Sequence, residues 1–179
     1  MKPDLFLDGL LACARFEENS LMQRCIHALK YDFIKALALP LSKILSGPLK
    51  LLPENNFILC PIPLHPKRHK WRGFNQSELL CGQLMKLLLD QNGEPLQIPD
   101  ILKRLTFFKP QMELNREARL LNMEDAFIVP NKIPQTFSNN KIVLVDDIST
   151  TLSTLNAAAK ALKMAGAQRI YGLVLARAY

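Results

Sequence analysis

Two adjacent carboxylates, Asp146 and Asp147, close an apolar run, Ile142-Val143-Leu144-Val145, and are followed by the hydroxyls of Thr150, Thr151, Ser153 and Thr154. The run reads as a buried strand. Leu155, Ala158, Ala159 and Leu162 stand at helical spacing, which predicts a helix from Thr154 to about Ala165. Strand, turn and helix in that order put the turn at the carboxyl edge of a sheet, where open α/β folds bind ligands. Hydroxyls and unpaired backbone N–H groups at the positive end of a helix dipole suit a phosphate. Carboxylates beside a phosphate would repel it unless they accept hydrogen bonds from sugar hydroxyls. Together these demands describe a ribose phosphorylated at its 5-position. The plainer alternative is that the same residues cap a helix and solvate a turn.

A second cluster lies in Cys60-Pro-Ile-Pro-Leu-His-Pro-Lys-Arg-His-Lys-Trp-Arg-Gly-Phe-Asn-Gln76. Lys67, Arg68, Lys70 and Arg72 fall within six residues, with His65 and His69 beside and between them. The segment follows an apolar run, Phe57–Cys60, and precedes a helix expected from about Asn75 to Leu89, so it too belongs at the carboxyl edge of the sheet. Three prolines stiffen its start, and Gly73 permits a tight turn into the helix. Such cations can grip a pyrophosphate or a nucleic acid, with Trp71 available to stack a base, or can be a solvated face. A net charge of +7, from 23 Lys and Arg against 16 Asp and Glu, is in keeping with an anionic partner.

The run of four apolar residues, Asp-Asp, a two-residue spacer and Thr-Thr resembles the signature of the type I phosphoribosyltransferases. PIPLHPKRHKWRGFNQ resembles a stretch of the ComF family of competence proteins, which are phosphoribosyltransferase-like. Similar too are Ala28-Leu29-Lys30-Tyr31, Lys109-Pro110-Gln111 with Leu114, Arg119, Asn122 and Ala126-Phe127, and the terminal Gly166-Ala167 and Leu175-Ala176-Arg177. The resemblance implies that Asp146 and Asp147 hold the ribose 2- and 3-hydroxyls of 5-phosphoribosyl-1-pyrophosphate. It implies further that Thr150, Thr151, Leu152, Ser153 and Thr154 cradle the 5-phosphate, and that Lys67, Arg68 and Arg72 approach the pyrophosphate with Asn75 capping the helix behind. Arg116 and Arg119 are candidates for a lid. A magnesium ion, held mainly by substrate oxygens and water, is expected with the sugar pyrophosphate.

At one position the chain departs from the pattern. Leu152 stands where the family has Gly, so its side chain either crowds the phosphate, strains the backbone at positive φ by roughly 1 kcal/mol, or packs away beneath the loop. Many members of the family also carry an N-terminal module of four zinc-binding cysteines, which this sequence lacks; loss of the module and a shortened start both account for that. Three functions follow as expectations. One is phosphoribosyl transfer to an acceptor that no motif identifies. Another is a DNA-uptake factor that binds single-stranded DNA or a competence helicase during natural transformation. A third is a ligand sensor without turnover.

These residues need a scaffold, and the rest of the sequence supplies one. The expectation is a single α/β domain with a mostly parallel central sheet flanked by helices, residues 1–50 helical and residues 57–179 the core. A helix is expected from Asn19 or Ser20, and a second from Phe33 to about Leu45, kinked near Pro40 and ending before Gly47-Pro48. Short strands are expected within Ile98–Leu105 and at Ala126–Val129, a loop at Asp90–Pro95, and a final strand at Arg169–Ala176. The βαβ spacing of the last two strands requires a parallel pairing with a right-handed crossover.

Composition narrows the function classes. Apolar residues make up 49% and charged residues 22%, which argues against disorder. No apolar run approaches the roughly 20 residues of a membrane-spanning helix. The acidic Asp4 and Asp8 interrupt the N-terminal stretch, which reads as structure rather than a signal peptide. Cys13, Cys25, Cys60 and Cys81 form no C-x-x-C pair. Cys25 and Cys60 sit in apolar patterns as small reduced hydrophobes, which favours a cytoplasmic setting. A P-loop nucleotide hydrolase is disfavoured because no G-x-x-x-x-G-K-[ST] occurs.

Overall fold

A strand that is apolar at every position must be covered on both faces, and Ile142, Val143, Leu144 and Val145 are all fully buried. The computed structural model describes residues 4–52, 57–92, 100–105, 126–131, 133 and 141–178. The elements in chain order are β1 (Gly9–Arg15), α1 (Leu21–Tyr31), a 3-10 turn (Lys35–Leu37), α2 (Ala38–Leu49), β2 (Phe57–Pro61), α3 (Pro66–Arg72), α4 (Gln76–Asn92), β3 (Lys103–Arg104), β4 (Phe127–Ile128), β5 (Lys141–Ser149), α5 (Ser153–Met164) and β6 (Arg169–Arg177). The sheet runs β1-β6-β5-β2 with every pairing parallel. This is the α/β, phosphoribosyltransferase-like arrangement that the sequence implies.

Successive residues of a strand face opposite sides, and each side has its own cover. Val143, Val145, Leu173 and Leu175 meet Ile26, Leu29, Leu41, Leu45, Leu80 and Leu84 from α1, α2 and α4. Ile142, Leu144, Ile170 and Val174 meet Leu155, Ala158 and Leu162 of α5, together with Leu102, just before β3, and Phe127 of β4. Full burial of each such Leu or Ile contributes about 1.5–3 kcal/mol. The ribbon itself is antiparallel, pairing Lys103 with Ile128 and Arg104 with Phe127.

The N-terminal part corrects the helical expectation for residues 1–50. Gly9–Arg15 is a strand, paired in parallel with β6 so that Gly9 stands opposite Tyr171. Leu and Ala, which fill this run, favour helix by propensity, and pairing with β6 overrides that preference. A Cβ on Gly9 would come within 3.1 Å of the Tyr171 ring, so a larger residue there would have to displace that ring by a few tenths of an ångström. Asp8 fastens the pairing, because its carboxylate accepts the Ile170 N–H at 2.6 Å and Lys163 Nζ at 2.9 Å. Asn156 of α5 adds a second tie, accepting the Phe6 N–H at 2.7 Å and donating to the Asp4 carbonyl at 2.8 Å.

Other boundaries shift for local reasons. The helix expected at Phe33 starts as a 3-10 turn at Lys35 and continues as α2 through Pro48 to Leu49. Pro40 falls in the first turn of α2, where the missing N–H would have no partner. Helix α4 continues through Asn92, three residues into the stretch expected to be a loop. Its start follows the expectation closely: Asn75 precedes Gln76, and its side chain accepts the Ser77 N–H at 3.0 Å. The basic segment is itself helical as α3, closed by Gly73 at φ 76°. Buried cysteines are Cys60 and Cys81, with Cys25 only partly buried against the core. Among the described residues no helix is long and apolar enough to cross a membrane.

Candidate functional site

Strand β5 outruns its neighbour on one side. β2 ends at Pro61 opposite Val145, while β5 continues through Asp146, Asp147 and Ile148 to Ser149 and stays paired with β6. The two carboxylates therefore sit on a rigid strand at the carboxyl edge, just past the point where β2 leaves the sheet. They are part of the strand rather than of the turn that follows it.

Different partners hold the two acids. Asp147 is 2% exposed; its Oδ1 accepts the Ile148 N–H at 2.7 Å and ion-pairs with Lys30 Nζ at 2.8 Å. Its Oδ2 is buried and has no hydrogen-bond partner. Asp146 is partly buried, and its Oδ1 accepts the Ser77 hydroxyl at 3.1 Å and the Asp147 N–H at 2.9 Å. Burial and the adjacent Asp147 charge push the Asp146 carboxyl up to about 7, against the ionised form favoured by the Asp147 N–H, Lys30 and Ser77.

Past the acids the chain turns at exposed Thr150 and Thr151 and enters α5 at Ser153. Leu152 adopts φ 63°, the left-handed conformation that a Gly would take without strain. Its side chain packs against the cluster that holds Leu155 and Leu162. The Thr151 and Ser153 hydroxyls lie 2.8 Å apart, and Thr154 follows in the first turn of the helix. All five residues of the expected phosphate loop are thus gathered around one helix N-terminus directly after the acid pair.

The basic segment separates into outward and inward cations. Lys67, Arg68 and Lys70 are exposed on α3. Arg72 is only 7% exposed; its guanidinium donates to Gln76 Oε1 and lies 5.6 Å from the Tyr31 ring centroid. Burial lowers its proton affinity, and the nearby Asp147 charge raises it. His65 caps α3 by accepting the Lys67 N–H at 3.2 Å. Burial and the positive charges of Arg104, Lys67 and Arg68 hold its own pKa below the usual histidine value.

Arg104, on β3, is a member that sequence reasoning missed. Its guanidinium stacks 5.3 Å from the Phe127 ring centroid and feels both Arg68 and Asp146. Only its place in the β3–β4 ribbon brings it there, so no local motif announces it. Ser77 and Gln76 were missed as well, since a polar residue at the start of a helix ordinarily signals only capping. Arg116 and Arg119, the lid candidates, lie outside the described residues, as do Lys109 to Gln111, Leu114 and Asn122. Among the described residues no group of three or more His, Cys, Asp or Glu could enclose a metal ion.

The arrangement is a pair of acceptors, one with an open buried oxygen, flanked by cations and followed by hydroxyls at a helix N-terminus. It can accept hydrogen bonds from a polyol while neutralising an anion attached to it. No family model matches the sequence. Among curated proteins, Competence protein F of Haemophilus influenzae is 35% identical over 130 residues, covering 71% of this chain and 52% of that protein. DNA utilization protein YhgH of Escherichia coli is 29% identical over 157 residues, covering 85% of this chain and 65% of that protein. Competence protein ComFC of Streptococcus pneumoniae is 32% identical over 170 residues, covering 94% of this chain and 69% of that protein. The chain thus spans about half the length of the Haemophilus relative and over two thirds of the Streptococcus one. That last coverage, together with the motifs gathered at the sheet edge, means that the chain belongs to the ComF family.

Proposed function

We propose that the carboxyl edge of β5 binds 5-phosphoribosyl-1-pyrophosphate with magnesium, in a protein that serves DNA uptake or utilisation as its relatives' names indicate. The observation that carries this reading is Asp147 Oδ2, a buried acceptor without a partner beside a second carboxylate. A sugar hydroxyl supplies the missing donor. The 5-phosphate lies against the N–H groups and hydroxyls of residues 150–154, and Arg68, Lys67 and Arg104 face the pyrophosphate. The acid pair suits a magnesium ion held chiefly by substrate oxygens, and such an ion supplies charge neutralisation on the pyrophosphate. Should transfer occur, pyrophosphate leaves C1 and a nucleophile captures the oxocarbenium-like centre. The chain's contribution is positioning and electrostatics rather than covalent catalysis.

Calorimetric titration with the sugar pyrophosphate and magnesium tests the reading, alongside thermal melting. Ligand at 100 times its dissociation constant adds about 2.7 kcal/mol of stability. Asp146→Asn with Asp147→Asn removes the gain. Equal melting shifts in wild type and double variant would take the two aspartates out of the site.

Exposed Lys67, Arg68 and Lys70 on one short helix with Trp71 favour a second activity, weak single-stranded DNA binding. Each neutralised phosphate contributes about −0.7 to the slope of log affinity on log salt. Replacing the three cations by Ala flattens that slope; an unchanged slope would reject α3 as the DNA contact.

A further inference from the structure

Asp147 is satisfied on one side only. Its Oδ1 receives two donors, Lys30 Nζ at 2.8 Å and the Ile148 N–H at 2.7 Å, while Oδ2 is buried and receives none. A buried ion pair adds little net stability, because taking both charges out of water offsets their attraction. A pair kept for stability alone would also leave no oxygen of its carboxylate empty. The lopsided bonding does something else. With Oδ1 held from two directions the carboxylate cannot turn, and Oδ2 has a single position with its donor still to come.

Lys30 reaches Asp147 from another element, and ring contacts hold it there. It lies in the last turn of α1. The next residue, Tyr31, packs its ring 6.1 Å from Trp71 and 5.6 Å from the Arg72 guanidinium, both on α3. Trp71 in turn meets Phe33 edge-on at 5.5 Å, and Phe33 meets Phe74 edge-on at 6.4 Å. These contacts clasp the end of α1 to α3, so the ammonium group comes from a fixed helix end. Lys30 also answers an electrostatic demand. Two adjacent carboxylates repel an anionic ligand, and a cation beside Oδ1 offsets one of those charges without occupying Oδ2.

We propose that Lys30 is a positioning residue of the sugar site, acting through Asp147 to fix Oδ2 as the acceptor for one particular ribose hydroxyl. The inference rests on the sugar-phosphate reading of the acid pair. It adds a residue on a separate helix that decides which oxygen of Asp147 the ligand meets.

The test uses ribose 5-phosphate and its 2-deoxy and 3-deoxy analogues, titrated by calorimetry. Asp147→Asn identifies the hydroxyl that Oδ2 receives. Wild type should reject the analogue lacking that hydroxyl by about tenfold or more, since a buried charged acceptor then goes unpaired, and the variant should not. Lys30→Met should erase the same discrimination and leave the one against the other analogue, which belongs to Asp146, in place. Lys30→Arg keeps the charge and should retain both. Lys30→Gln is the neutral variant to use should Lys30→Met fail to fold, and urea unfolding shows which variants are folded. A residue that merely braces the fold would on removal weaken all three sugars together and blunt both discriminations. That result, or a wild-type profile in the neutral variant, would overturn the role of Lys30 and leave the sugar-phosphate site standing. Binding of none of the three sugars by wild type, or equal binding of all three, would remove both.

Discussion

Lys30 Nζ lies 2.8 Å from Asp147 Oδ1, so the first helix of the chain supplies the counter-ion for the acid at the end of the central strand. Both side chains are largely shielded, at 18% and 3% exposure. Removing one partner of such a pair leaves the other as a buried charge without compensation. Lys30→Met should therefore destabilise the fold by about 3 kcal/mol, measured from urea midpoints. The double variant Lys30→Met with Asp147→Leu should recover much of that loss. Additive losses in the double variant would show that the ion pair is not what couples the two residues.

Asp146 holds its proton more tightly in the folded chain, with a pKa of about 7 against an ordinary 3.8. Between those two values the native state binds more protons than the unfolded one, so stability in the absence of ligand falls as pH rises. Below the unfolded value both states are protonated and the slope vanishes. Asp146→Asn removes this dependence and should raise stability at pH 8 relative to pH 5. Urea titrations of wild type and variant at pH 5 and pH 8 measure it; parallel shifts in both proteins would place the titrating group elsewhere. A ligand that donates to the ionised acid should also release a proton on binding near neutral pH, which calorimetry in buffers of different ionisation enthalpy detects.

Leu152 carries two opposed contributions. Its left-handed backbone costs roughly 1 kcal/mol, and its side chain gains contact with the cluster around Leu155. Leu152→Gly relieves the first, gives up the second and loosens the loop, so stability should stay within about 1 kcal/mol of wild type. Affinity for the sugar pyrophosphate should weaken, because the loop is no longer held in one conformation before the ligand arrives. A tighter titration in the variant would mean that the leucine obstructs the phosphate.

How far the sequence speaks depends on how local each signal is. Strand β5, the hydroxyl turn and helix α5 form one contiguous segment whose apolar pattern, breaker residues and capping chemistry agree. The acid pair and the loop were legible for that reason. Strand β1 was not, since Leu, Ala and Cys in Gly9–Arg15 say helix or nothing, and only β6 makes them a strand. Arg104 was hidden in the same way, as one basic residue of a two-residue strand positioned by Phe127. The direction of Arg72 could not be read from a run of like charges; burial beside Gln76 and Tyr31 decides it. Asn156 looks like an ordinary polar helix residue until the N-terminal segment crosses it.

The pairing of β1 with β6 joins Asp8 to Ile170 across 162 residues of chain. A nascent chain leaving the ribosome releases β1 early, and its sheet partner is synthesised only after every other element described. Until then the apolar side chains of Gly9–Arg15 have no strand to pair with. Contacts so distant in sequence are slow to form because the intervening loop must close before they reward the closure. Strand β1 is thus a waiting segment during synthesis, and its docking can only follow the synthesis of β6.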